Sequence, residues 1–200
     1  MVDVLAEWSQ AHGGYDVSRS LLVRNWLRAM TWMARPMVAR GVPADAVTAA
    51  GVAAAVVAAR SARRPARRPA AAFVLLSAVL DGLDGAVARQ RGSTGARGVV
   101  VDRAADRVAD VLFPVALRRA GCPRRLAVAA GAASVAFEAL RDARRAAGRH
   151  DIGTVTVAER PFRVVAVSVG LVTSPVAGAV TIVVMSGVGA WQLVVVDRQP

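Results

Sequence analysis

The stretch that decides the fold is DGLDGAVARQRGSTGARGVVVDRAAD, which runs from residue 81 to residue 106. Four carboxylates occur in it, Asp81, Asp84, Asp102 and Asp106. The ten residues before it, AAFVLLSAVL, are apolar except for Ser77, and residues 111–117 after it are apolar throughout. Carboxylates between two apolar segments are costly to desolvate, so they persist only when they are paired, bind a metal or face a wet cavity.

The spacing of these carboxylates favours a metal site. Asp81 and Asp84 are three residues apart, and Asp102 and Asp106 are four apart, so on helices each pair shares one face. Two such pairs facing one another would repel each other unless a divalent cation lay between them. An all-oxygen ligand set suits Mg²⁺, Mn²⁺ or Ca²⁺ and disfavours zinc.

The residues between the two pairs fit a phosphate ligand. Gly82 and Gly85, together with two alanines, keep the first helix thin, so that a bulky ligand can approach its backbone. Arg89 offers a fixed, forked donor for phosphate oxygens. Carboxylates, small residues and this arginine together indicate a phosphate-transfer centre. The alternative is that the four aspartates serve only as helix caps and ion-pair partners.

The same segment resembles the signature of the CDP-alcohol phosphatidyltransferases, D-x-x-D-G-x-x-A-R-x8-G-x3-D-x3-D. The matching positions are Asp81, Asp84, Gly85, Ala88, Arg89, Gly98, Asp102 and Asp106. The resemblance implies an enzyme of phospholipid biosynthesis that moves the phosphatidyl group of CDP-diacylglycerol onto an alcohol, with release of CMP. It also implies that Asp81, Asp84 and Asp102 hold Mg²⁺ or Mn²⁺. Asp106 is then the catalytic base and a ligand of a second ion, which makes two ions per active site.

The residues alone do not identify the base among the four carboxylates. An alcohol is a poor nucleophile, so a base must accept its proton as it attacks phosphorus. A nearby cation makes a carboxylate a weaker base, so the carboxylate farthest from the metal is the better one. The spacing leaves that carboxylate open, and the assignment to Asp106 comes from the resemblance.

The family resemblance also points to residues near the nucleotide. Those predicted to bind the CDP-lipid are Gly85, Arg89, Asp45, Thr48 and Thr94. Two neighbouring positions depart from the family, because Gly95 replaces a small hydroxyl residue and Arg97 a frequent aromatic one. Aspartate and threonine at a helix N-terminus are also ordinary caps, so both interpretations of the DAVT segment at 45–48 stand.

Arginine-rich segments later in the chain concern the acceptor. AERPFR, at 158–163, resembles the E-R-x-x-R segment of actinobacterial phosphatidylinositol phosphate synthases, and RDARR precedes it at 141–145. The predicted acceptor-binding residues are Arg141, Arg144, Arg160 and Arg163. Such a cationic pocket suits a phosphorylated alcohol, either inositol phosphate or glycerol 3-phosphate. The alternative is that these arginines are loop charges that set membrane topology.

The composition of the whole chain indicates one membrane domain. Its 200 residues are 55% hydrophobic, with a mean hydropathy of +0.43. Six apolar segments are visible, at 42–59, 70–88, 98–117, 126–140, 162–173 and 176–196. We therefore predict an all-α fold in which residues 41–200 form an integral membrane bundle of six transmembrane helices.

The N-terminal part has a different pattern. Residues 1–15 are polar and predicted to be flexible, whereas 16–40 has apolar residues every three or four positions, with arginines on other faces. The apolar stripe consists of Leu22, Trp26, Met30, Met33 and Met37. Such a stripe predicts an amphipathic helix that lies in the membrane interface. The alternative is a helix packed on the rest of the protein.

The net charge of +12 would indicate nucleic acid in a soluble protein. In a membrane protein it favours contact with anionic lipid headgroups, so no nucleic-acid partner is expected. The resemblance implies a homodimer in the cell membrane with its active site facing the cytoplasm, and a slight arginine excess on that side agrees. An ion-coupled transporter is the competing function, because transporters also use intramembrane aspartates. The Gly/Ala/Arg framework between the pairs and the lack of an inverted repeat argue against it.

Overall fold

The computed structural model describes residues 21–63, 65–93, 95–148 and 156–196, which form helices joined by turns and contain no strand. The helices are α1 (Leu21–Ala39), α2 (Ala44–Ser61), α3 (Arg67–Gln90), α4 (Ala96–Arg119), α5 (Arg124–Ala146), α6 (Arg160–Val172) and α7 (Pro175–Val196). The all-α prediction is confirmed. The predicted flexible segment 1–15 and the first residues of the predicted helix 16–40 lie outside the described residues.

Proline and glycine mark the helix boundaries. Pro43 and Pro123 directly precede α2 and α5, where a missing backbone N–H costs no helical hydrogen bond. Gly92 and Gly121 follow the ends of α3 and α4 with φ of 64° and 114°, in the left-handed region that a side chain would strain. These residues keep the turns after α3 and α4 short.

Helices α2 to α7 cover the six predicted apolar segments. Among the described residues, three helices are long and apolar enough to cross a membrane: Ala44–Ser61, Arg67–Gln90 and Pro175–Val195. Helices α4 and α5 carry rows of charged residues, and α6 has 13 residues. The number of helices that cross the membrane therefore remains a prediction.

Small residues let the helices approach closely around a shared core. Helix α3 packs on α1, α2 and α6, while α4 packs on α2 and α5, and α7 packs on α5 and α6. The core is rich in alanine around Phe113, Leu117 and Ile182. A Cβ added to Gly170 would lie 2.7 Å from the Cα of Gly178, so α6 and α7 touch through bare backbone.

Contacts between helix ends show that α2, α3 and α4 alternate in direction along the chain. At one end, the start of α2 meets the end of α3, where Thr48 bonds Asp84. At the opposite end, Arg67 at the start of α3 donates to the carbonyl of Ala120, just after α4. The predicted metal ligands on α3 and α4 therefore share one end of the bundle, and the basic residues at the start of α3 and the end of α4 lie at the other.

Helix α1 packs on α3 directly behind the metal-ligand motif. Leu27, Met30 and Ala34 face inward, and Met30 is only 4% exposed. A Cβ added to Gly82 would lie 3.1 Å from the ring of Trp26 and 3.3 Å from the sulfur of Met30. The expectation that Met30 faces lipid is thus wrong, because bare backbone at Gly82 lets α1 come close enough to bury it. Placement of α1 in the membrane interface remains a prediction.

Candidate active site

Three of the four motif carboxylates converge between two helices. Asp81 lies in the second half of α3, and Asp102 and Asp106 lie in the first half of α4. One oxygen from each lies within 4.8 Å of the others. Oxygens on opposite sides of one Mg²⁺ are about 4.2 Å apart, twice the usual bond length, so this cluster has the right size for one divalent cation. The hard oxygen donors also fit Mg²⁺ or Mn²⁺ chemically.

The fourth carboxylate is turned toward α2. Thr48 Oγ1 lies 2.6 Å from Asp84 Oδ2 and donates to it, and the Asp84 side chain is buried. Asp84 lines the same small cavity as Asp81 and Thr48 without belonging to the three-oxygen cluster. The structure therefore brings three predicted ligands together and places the fourth beside them, held by a hydroxyl group. Its role as a ligand remains a prediction.

Arg160 reaches the same cluster from α6. Its Nη1 lies 2.7 Å from Asp81 Oδ1, and it also pairs with Asp106. Helix α6 packs on α3, so the first residue of α6 lies beside the last turns of α3. The structure thus places one of the predicted acceptor-binding arginines directly against the predicted metal ligands and base.

The predicted CDP-binding residues lie at the same end of the bundle. A Cβ added to Gly85 would lie 3.3 Å from Arg89 Nη1, so the guanidinium of Arg89 folds back over the bare backbone of Gly85. Asp45 is exposed in the first turn of α2, and Thr48 is buried one turn further on. Pro43 takes the cap position of this helix, so neither residue serves as its N-cap. Thr94 lies outside the described residues.

The other predicted acceptor-binding arginines have acidic partners or are buried. Arg141 Nη1 lies 2.9 Å from Glu159 Oε2, and the side chain of Arg144 is 8% exposed. Arg163 is buried and pairs with two acids, Asp110 and Glu138. Arg163 thus lies one helical turn beyond Arg160, inside a network of buried charges.

Sequence reasoning overlooked Glu138 and Glu159 as partners of these arginines. Glu138 interrupts the apolar run VAFEAL in the predicted span at 126–140. An acid inside an apolar span is a signal by itself, since it needs a partner in the bundle. Its partner could not be read from the sequence, because Arg163 is 25 residues away on another helix.

Comparison with known proteins agrees with this geometry. Residues 41–196 match the family model of CDP-alcohol phosphatidyltransferases, and the chain belongs to that family. The resemblance identified in the sequence is therefore confirmed. No curated protein matches the chain.

Two solved structures of the Mycobacterium tuberculosis phosphatidylinositol phosphate synthase are similar to this chain. The complex with manganese and citrate is 27% identical, with a TM-score of 0.67, and the match covers 86% of this chain and 90% of that one. The complex with CDP-DAG bound is 26% identical, with a TM-score of 0.62, and the match covers 84% of this chain and 90% of that one.

Family membership and these neighbours define the class of enzyme. The chain is a membrane protein that transfers phosphatidyl groups in phospholipid synthesis and depends on a divalent metal. The transporter interpretation of the intramembrane aspartates is not favoured. The candidate ligand cluster of Asp81, Asp102 and Asp106 agrees with metal dependence.

Proposed function

We propose that this chain transfers the phosphatidyl group of CDP-diacylglycerol to a phosphorylated alcohol and releases CMP. The observation that carries the proposal is the convergence of Asp81, Asp102 and Asp106, with the guanidinium of Arg160 against them. A neighbour with CDP-DAG bound supports the donor. The same neighbour is a phosphatidylinositol phosphate synthase, which supports inositol phosphate as acceptor, with glycerol 3-phosphate as the second candidate.

The aspartates of the motif would hold the metal. Asp81, Asp102 and Asp106 offer oxygens at a suitable spacing, and Asp84 lies beside them. We propose two ions per site, Mg²⁺ or Mn²⁺. Bound there, a divalent cation supplies positive charge that neutralises the diphosphate and polarises its phosphorus–oxygen bonds.

Asp106 is the proposed base. The acceptor hydroxyl oxygen forms a bond to the phosphorus that carries the diacylglycerol, and the bond from that phosphorus to the CMP oxygen breaks. The hydroxyl proton passes to a carboxylate oxygen of Asp106, and CMP leaves with the electron pair. The contact of Asp106 with Arg160 supports this role, since an acceptor held by Arg160 would lie beside the base.

The donor nucleotide is proposed to lie along the end of α3 and the start of α2. Gly85 leaves the backbone of α3 accessible, and the folded Arg89 brings a forked donor to that surface. Asp45, Thr48 and Thr94 complete the proposed set. Support for Thr48 comes from its burial beside Asp84, in the cavity that Asp81 also lines.

The acceptor's phosphate is proposed to bind among Arg141, Arg144 and Arg160. Arg160 is half-buried, and Arg141 is steadied by Glu159, the residue just before α6. Planar guanidinium groups recognise phosphate through paired hydrogen bonds. Arg163 was predicted from its sequence segment to share this task, but its contacts favour the different role argued below.

The proposed reaction also implies a membrane location and an oligomeric state for the enzyme. CDP-linked lipids are made on the cytoplasmic side, so we place the active site at the cytoplasmic face of the cell membrane. We also propose that the chain works as a homodimer, as the family resemblance implies. Crosslinking in membranes checks the dimer, and accessibility of a cysteine introduced at exposed Ser93 checks the orientation.

One assay tests the proposed reaction. Purified protein is supplied with CDP-diacylglycerol, Mg²⁺ or Mn²⁺, and a panel of inositol phosphate, glycerol 3-phosphate, inositol and serine, and the lipid product is identified by mass. We expect CMP release with a phosphorylated acceptor well above release with inositol or serine. A neutral alcohol used better than either phosphorylated one would overturn the proposed acceptor pocket.

A further inference from the structure

Two rows of opposite charge meet where α4 and α6 pack together. On α4, Asp106 and Asp110 are four residues apart, and on α6, Arg160 and Arg163 are three apart, so each pair lies on one helix face. Arg160 pairs with Asp106. One turn further on, Arg163 Nη2 lies 3.2 Å from Asp110 Oδ1. The second pair therefore repeats the contact of the first, deeper in the bundle.

The deeper pair is part of a network that joins three helices. Arg163 Nη2 also lies 2.8 Å from Glu138 Oε1 on α5, and its Nη1 donates to the carbonyl of Ala158 at 3.0 Å. Asp110 in turn accepts from Arg107, whose other guanidinium nitrogen lies 3.0 Å from Asp142. Arg163 thus binds α4, α5 and the segment that leads into α6 at the same time.

Burial makes these contacts strong constraints. The side chains of Arg163 and Asp110 are 3% and 4% exposed, and that of Glu138 is 12% exposed. A buried charge that loses its partner stays desolvated and uncompensated, which strongly favours the paired arrangement. The guanidinium of Arg163 also lies 6.0 Å from the centre of the Phe137 ring, which closes one more side of it. The guanidinium of Arg163 therefore faces protein groups on several sides. An arginine that binds the acceptor's phosphate directly would not need these contacts.

The hydrogen bond to Ala158 connects this network to the active site. Ala158 is fully buried and lies two residues before Arg160. Its Cβ would lie 2.5 Å from a Cβ added to Gly189, so α7 holds it closely from the other side. Fixing Ala158 and Arg163 fixes the backbone on both sides of Arg160, and hence where its guanidinium can reach.

We propose that Arg163, Asp110 and Glu138 form a positioning set that holds the first turn of α6 so that Arg160 reaches Asp81 and Asp106. Arg163 then acts through Arg160 and does not touch the acceptor. This inference rests on the proposed function for its catalytic consequence. It gives Asp110 and Glu138, which lie outside the family signature, an indirect part in acceptor binding, exerted through Arg163 and Arg160.

Steady-state kinetics with inositol phosphate and CDP-diacylglycerol separate positioning from direct binding. We expect Arg163→Gln and Asp110→Asn each to raise the acceptor KM at least tenfold and to change the CDP-diacylglycerol KM less than twofold. The double variant should be no worse than the poorer single variant, because both changes release the same turn. Arg145→Gln is the control, since Arg145 is exposed and its ion pair is with Asp142, outside the positioning set, and its KM values should stay as in the wild type.

Two kinetic outcomes would overturn the proposal. A wild-type acceptor KM in Asp110→Asn, with a raised one in Arg163→Gln, would make Arg163 a direct ligand. Unchanged KM values in both variants, with a lower melting temperature alone, would make the network merely structural. If Asp110→Asn does not fold, Glu138→Gln removes the other acidic partner of Arg163, which is the more exposed of the two.

Hydrogen exchange provides a readout that does not depend on activity. Exchange of the backbone amides at 162–166 is measured in lipid nanodiscs without substrates. We expect Arg163→Gln and either acid variant to raise exchange there, whereas Arg145→Gln does not. If the wild type uses no acceptor, the proposed function fails, and this exchange pattern still decides the positioning role. Unchanged exchange in the folded variants would contradict it.

Discussion

Thr48 shows how a single hydroxyl shapes the site. Its hydrogen bond to Asp84 lies in a buried place, where a carboxylate without a donor would be strongly disfavoured. The sequence placed Thr48 near the nucleotide only through the DAVT segment, and the contact with Asp84 was not foreseen. Residues at 48 and 84 are far apart in the chain, so only the packing of α2 on α3 could reveal it.

Thr48→Val tests that contact. Valine keeps the volume and removes the donor, so the carboxylate of Asp84 is no longer held in place. A hydrogen bond to a charged group is worth about 1.5–3 kcal/mol, so we expect roughly ten- to a hundredfold weaker Mn²⁺ binding in a direct titration. Thr48→Ser keeps the hydroxyl and should bind Mn²⁺ as the wild type does. Wild-type Mn²⁺ affinity in folded Thr48→Val would show that the contact does not serve the metal.

Arg160→Gln tests the acceptor side of the site. Loss of the guanidinium should raise the acceptor KM by about ten- to a hundredfold, the value of a charge-assisted hydrogen bond, and leave the CDP-diacylglycerol KM nearly unchanged. Arg145→Gln is the control, because Arg145 is an exposed arginine at the end of α5. Equal loss toward both substrates would contradict a specific role for Arg160 in binding the acceptor.

There is a physical reason why some features of the site could be predicted from the sequence and others could not. Asp81, Asp102 and Asp106 could be predicted to converge, because a turn of a few residues joins α3 to α4 and forces their ends together. The burial of Arg163 could not be predicted, because it depends on acids from two other helices. Local spacing decides which helix face a residue occupies, and long-range packing decides what that face meets.

At the scale of helices, α1 shows the same difference between what local spacing decides and what long-range packing decides. Its apolar period predicted a helix, and the described part forms one over Leu21–Ala39. The period alone could not say whether the stripe meets lipid or protein, since both environments are apolar. The close contact at Gly82 decides it for Met30, which packs on α3, whereas Trp26 is 43% exposed.

Gly82→Ala tests the contact between α1 and α3. The added methyl group would press on Trp26 and Met30, and such overpacking costs about 1–3 kcal/mol, which exceeds the gain in helix propensity of about 1 kcal/mol. We expect a lower melting temperature in detergent. Gly187→Ala is the control, because a Cβ there meets nothing within 4 Å, and it should leave the melting temperature unchanged or raise it. Equal shifts in the two variants would contradict close packing at Gly82.

At the scale of the whole molecule, the acidic residues of the site gather at one end of the bundle. The end with the aspartates gathers side chains from α2, α3, α4 and α6, and the opposite end carries the basic residues at the start of α3 and the end of α4. Six apolar segments are visible in the sequence, each bounded by proline, glycine or arginine. A helix occupies each of them. Their order in the bundle required the structure, since alanine-rich faces differ little from one another.

The central claim is that the aspartate cluster between α3 and α4 holds the metal for phosphatidyl transfer. The most direct measurement compares Mn²⁺ binding and CMP release in the wild type and in Asp102→Asn, with folding checked by the melting temperature. The amide keeps the volume of the carboxylate but loses its charge, so we expect a folded protein that neither binds Mn²⁺ at this cluster nor releases CMP. Turnover and Mn²⁺ binding equal to those of the wild type would contradict the claim.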